Sequence, residues 1–147
     1  MLKEKVRNKL RSKLGTTKEI KHMVFGPRDL VKKLPSLIGK APDNNTIVVV
    51  ETDGSYIESI KFVDISEDYA NDAIEIVKSM HVVDKQLIFC IYTTKPNSFK
   101  GLADDLMTDF SNGNGWVRDV LYINKNRWGS YLCIDKSCCP KAGNKID

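Results

Sequence analysis

Only two histidines occur in the 147 residues, His22 and His81, and neither stands at a metal-type or catalytic spacing from another candidate ligand. A G-x-S-x-G elbow, a Walker loop, a dinucleotide fingerprint and an H-E-x-x-H helix are also missing, which removes the common catalytic signatures. The opening MLKEKVRNKLRSKLG has no apolar run that could form a signal-peptide core or a membrane span. Secretion by the usual route and membrane insertion are therefore not expected, and a cytoplasmic location is. In a reducing compartment the cysteines stay mostly as thiols, and the sequon at Asn44 meets no glycosylation machinery.

What is present fits one ordinary domain, long enough to bury roughly two thirds of its unfolded surface around a single core. A hydrophobic fraction of 41% and a charged fraction of 29% exclude low complexity and wholesale disorder. The net charge of +4 is unevenly placed. Residues 1–21 carry eight Lys and Arg against Glu4 and Glu19, a balance of +6, so the body carries −2. Leu2, Val6, Leu10 and Leu14 recur every four residues, which places a narrow apolar stripe on a basic helix that Gly15 stops. The division is thus a basic amphipathic arm over 1–21 and a single α/β domain over 22–147. The arm's Lys3, Lys5, Arg7, Lys9, Arg11 and Lys13 are candidate nucleic-acid contacts, although a solvated helix packed by its leucines accounts for them equally.

Along the body, a helix opens at Pro27, is bent or restarted at Pro35, and ends by Gly39 and Pro42. TIVVVETDGSYIESIKFVDIS reads as an antiparallel hairpin turning at TDGS. An amphipathic helix follows from Ser66, with Tyr69, Ala73, Ile76, Val77 and Met80 on one face. QLIFCIYTT has the continuous apolar character of a strand buried on both faces, which makes Cys90 a core residue. A capped helix begins after Ser98, and WVRDVLYINKNRWGSYLCID gives two more strands around NKN. The sum is an α/β fold: a mixed β-sheet with antiparallel hairpins and packed helices, preceded by the basic N-terminal helix.

Three of the four cysteines fall within SYLCIDKSCCP. Cys133-x4-Cys138 fits one zinc knuckle with Cys139 beside it, and a fourth ligand would have to come from His22, His81, Cys90 or Asp135. Lys136 and Lys141 could lower a thiol pKa for nucleophilic chemistry. Reduced thiols packed after the last strand are the simplest reading. Arg127, Trp128 and Tyr131 could form an aromatic-basic surface, with core packing the simpler use of Trp128. In a sheet with parallel strands, ligands collect beyond the carboxyl ends, here marked by Asp64 and Ser66 and by Thr93, Thr94 and Lys95. Those polar caps are also what any solvent boundary produces.

DLVKKLPSLIGKAPDNNTIVVV together with RWGSYLCIDKSCCP resembles an uncharacterised domain widespread in actinobacteria and their phages. Its members carry an R-W-x-S-Y-x-C-x-D-x-x-C-C-P segment, matched here by Arg127, Trp128, Ser130, Tyr131, Cys133, Asp135, Cys138, Cys139 and Pro140. The resemblance covers about residues 28–140 and implies an α/β fold and an actinobacterial or actinophage source, but no activity. Members usually continue past C-C-P and lack the lysine-rich arm, which suits a phage or mobile-element protein that kept the scaffold for binding. The expected function is a small non-enzymatic binding or regulatory protein acting through a protein partner or self-association. Nucleic-acid binding through residues 3–21, and an enzyme or zinc site around the cysteine motif, are the alternatives.

Overall fold

The computed structural model of the chain describes residues 18–65, 86–111, 116–132 and 143–146. Among the described residues seven strands form one sheet: β1 (Lys18–Met23), β2 (Thr46–Asp53), β3 (Tyr56–Asp64), β4 (Gln86–Tyr92), β5 (Trp116–Asn124), β6 (Arg127–Ser130) and the two-residue β7 (Asn144–Lys145). Their spatial order is β1-β3-β2-β4-β5-β6-β7. Only β4 and β5 pair in parallel, and every other neighbouring pair is antiparallel. The mixed sheet read from the sequence is therefore present. The basic helix expected before Gly15 lies outside the described residues, as does the helix expected from Ser66. The last residues of the expected arm, from Lys18, belong to edge strand β1.

β2 and β4 are almost wholly buried, as their unbroken apolar sequences demand. The β2–β3 hairpin closes over a two-residue loop in which Gly54 takes φ 58, a left-handed geometry that glycine adopts without steric cost. β5 and β6 close in the same way over Lys125 and Asn126.

Helix α1 (Pro27–Ile38) lays Leu30, Val31 and Leu34 on one face of the sheet, each worth about 1.5–3 kcal/mol of burial. There they meet Val48, Val50, Ile57, Cys90, Leu121 and Ile123. Pro35 does not restart the helix, which continues until Gly39 caps it at φ 95. On the opposite face, helix α2 (Lys100–Ser111) packs Leu102, Ala103 and Leu106 against Ile47, Val49, Phe89 and Val120. The expected cap at Ser98 is replaced by a short 3-10 turn over Pro96–Phe99 that leads into α2. Pro96 has no N–H and a preset φ, so it opens the turn one position after Lys95 without a side-chain cap.

Candidate binding sites at the two ends of the sheet

The R-W-x-S-Y motif does not assemble one centre. Register sets Trp128 opposite Ile123 and Ser130 opposite Leu121, on the face covered by α1. Tyr131 packs against the other core, meets Tyr122 edge-on at 5.3 Å and donates its hydroxyl to the Pro96 carbonyl at 2.6 Å. Arg127 Nη1 donates to the Gly143 carbonyl at 2.9 Å, tying β6 to the returning chain. Each of these contacts holds β6 in place. Cys133, Asp135, Cys138 and Cys139 lie outside the described residues, as do Lys3, Lys5, Arg7, Lys9, Arg11 and Lys13. Among the described residues no group of three His, Cys, Asp or Glu side chains could hold a metal ion. Cys90 is fully buried, and burial, reinforced by the Asp119 charge, pushes its thiol pKa up, so it remains a packed thiol.

One end of the sheet gathers the β2–β3 turn, the end of β1 and the starts of β4 and β5. A pocket of about 150 Å³ opens there beside the first turn of α1. Arg118 and Asp119 form its polar side, and Leu30, Ile57, Ile88 and Leu121 its apolar side. A register shift pairs Leu87 with Val117 but Ile88 with Asp119, leaving Arg118 as the extra residue of a bulge. Arg118 can thus reach across the end of β4, donating to the Gly54 carbonyl at 2.6 Å and to Thr52 Oγ1 at 3.3 Å. Asp119 accepts on Oδ1 from Ser130 Oγ at 2.5 Å and from Val120 N at 2.9 Å. Burial raises its carboxyl pKa, and the two hydrogen bonds only partly offset this.

Three large aromatics stand exposed at this end: Phe25 at 78%, Trp116 at 55% and Tyr56 at 49%. Tyr56 starts β3, Trp116 starts β5, and Phe25 follows β1, whose Met23 pairs with Tyr56. They therefore mark one edge across five strands, a span of roughly 19 Å at about 4.8 Å per strand. None of Phe25, Tyr56, Trp116, Arg118 or Asp119 was singled out by sequence as a site residue. The signal available was the charged pair inside WVRDVLYIN, a strand otherwise rich in apolar residues.

At the other end, beyond the carboxyl ends of β4 and β5, lies a cleft of about 330 Å³. Thr93 and Thr94, placed here by the strand-end rule, both line it. Their positions are held by hydrogen bonds: Thr93 Oγ1 donates to Asn45 Oδ1 at 3.0 Å, Lys95 N donates to Thr93 Oγ1 at 3.0 Å, and Thr94 N donates to Asn44 Oδ1 at 2.9 Å. Asp64 ends β3 at this same end, where Ile65 N donates to the Asn45 carbonyl at 2.7 Å.

Among the described residues, a mixed sheet with a helix packed on each face and a cleft at each of its two ends defines an α/β domain. Residues 27–147 match the family described as a domain of unknown function, DUF4192, and the chain belongs to that family. No curated protein and no solved structure matches it.

Proposed function

We propose that the domain is a small non-enzymatic binding or regulatory module that grips a protein partner at its aromatic end. The observation that carries this reading is the exposure of Phe25, Tyr56 and Trp116 at the end of the sheet where Arg118 edges a pocket. Aromatic and arginine side chains supply most of the binding energy at protein interfaces, where they surround small desolvated pockets. A pocket of about 150 Å³ admits one partner side chain, whose apolar part meets Val24 and Ile88. No helix among the described residues is long and apolar enough to cross a membrane. The terminal R-W-x-S-Y-x-C segment supports an actinobacterial or actinophage origin.

Selection of a displayed peptide library against the full chain, followed by titration calorimetry of the best peptide, tests the reading. Affinity should fall at least tenfold, about 1.4 kcal/mol, in Trp116→Ala. An unchanged affinity in Trp116→Ala and Phe25→Ala would remove the aromatic end from the interface. Separately, binding to nucleic acid that collapses with salt and with deletion of residues 3–21 would favour the basic arm instead.

A further inference from the structure

From the opposite end of the sheet we infer a second site: the cleft beyond β4 and β5 binds a small molecule bearing a phosphate or carboxylate group. The placement follows the topology, since β4 and β5 are the parallel pair and ligands of such sheets collect beyond the carboxyl ends of parallel strands. The volume, about 330 Å³, falls at the lower end of the range for small-molecule sites.

Lys32 on α1 and Lys125 in the β5–β6 turn face the cleft from two sides, against one carboxylate, Asp43. The lining therefore carries a net positive charge. Tyr92 also lines the cleft, and its hydroxyl is buried without a hydrogen-bond partner. It is one of four buried side-chain atoms without a partner among the described residues, and the one that belongs to a residue lining this cleft, where an acceptor would satisfy it. Trp128 Nε1 is stranded in the same way. Tyr92 pairs with Ile123 and Ile123 with Trp128, so the two residues occupy one row of the sheet. Ile123 between them lines the cleft.

Backbone geometry marks the same place. The two non-glycine residues with positive φ among the described residues are Lys125, at φ 57, and Asn45, at φ 60. One lines the cleft, and the other holds Thr93 through its side chain. Both sit in tight turns, which fix the chain where it borders the cleft. Two lysines, a tyrosine hydroxyl and the Thr94 side chain offer donors to an oxyanion, while Val31, Pro35 and Ile146 offer apolar contact to the body that carries it.

The test is an NMR titration of the full chain with inorganic phosphate, ribose 5-phosphate, citrate and neutral ribose. Saturable shifts of the Thr93 and Thr94 amides and the Ile123 and Ile146 methyls are expected with a charged probe but not with ribose. Saturation by ribose 5-phosphate alone assigns a phosphate ligand, and by citrate alone a carboxylate ligand. The double variant Lys32→Gln/Lys125→Gln should weaken that probe at least about tenfold. Trp116→Ala should leave it unchanged, which separates this site from the aromatic end. Absence of saturable shifts with all three charged probes, equal binding of ribose, or full affinity in the double lysine variant would overturn the assignment.

Discussion

The two ends of the sheet are joined by one helix, about 18 Å long, yet they present opposite surfaces. At the start of α1 the rim is aromatic and exposed, and its pocket is small. At the end of α1 hydrogen-bonded Thr93, Thr94, Asn44 and Asn45 border a cleft about twice as large, whose walls also include Val31, Pro35 and Ile146. Exposed aromatic surface gains most when a broad partner covers it, whereas fixed polar groups around a recess suit a ligand that fits inside. One fold can thus serve two kinds of recognition without their sites overlapping.

The difference depends on α1 being seated at both ends. Leu30 lines the pocket at the aromatic end, and Val31, the next residue, lines the cleft at the other. Leu30 is fully buried, so Leu30→Ala should cost about 2–5 kcal/mol in a urea melt. Reduced amide protection should appear at both ends of the helix. A cost below about 1 kcal/mol would mean that α1 contributes little to either site.

A second substitution acts on the polar end alone. Thr93→Val keeps the side-chain shape but removes the hydroxyl that bonds Asn45 and Lys95 N, at an expected cost of about 1–3 kcal/mol. Should the variant melt like the parent, the hydrogen bonds at this end are surface decoration. Trp116→Ala supplies the contrast at the aromatic end. Since Trp116 is 55% exposed, its removal should change stability by no more than about 0.5 kcal/mol while weakening the selected peptide. A large stability loss would instead make Trp116 part of the core.

Much of this architecture was legible in the sequence because periodicity and burial agreed. The unbroken apolar character of Thr46–Asp53 and Gln86–Tyr92 marked them as strands, and in α2 Leu102, Ala103 and Leu106, apolar at helical spacing, are buried while Asp104 and Asp105 are exposed. Thr93 and Thr94 were reachable from the strand-end rule alone. The aromatic end was not. An alternating pattern cannot reveal a bulge, and the bulge at Arg118 is what sends that side chain across β4 and sets Asp119 on the α1 face. Core packing, the simpler use of Trp128, is what the structure has, whereas nothing in the sequence marked Trp116 as exposed, since it too stands beside apolar strand residues. The R-W-x-S-Y residues drew notice by their chemistry, and the register then distributed them between two faces.

The smallest effect concerns Ser130, the motif residue that touches a cleft wall. Asp119 sits above its ordinary pKa of 3.8 because burial penalises the carboxylate, while the Ser130 hydroxyl stabilises that carboxylate. The folded chain therefore holds this proton more tightly than the unfolded chain does. Over the interval from 3.8 up to the folded value, unfolding releases a proton, and the Asp119 contribution to stability falls as pH rises. Above the folded value it levels off. Ser130→Ala removes a stabilising donor and should move the Asp119 titration further up, extending the decline to higher pH. Asp119→Asn should abolish that part of the decline. A carbon-detected NMR titration of the Asp119 side chain, paired with urea melts across acidic pH, measures both. A midpoint at or below the ordinary value in the parent, or a downward shift in Ser130→Ala, would show that the aromatic-end pocket is walled by a solvated carboxylate.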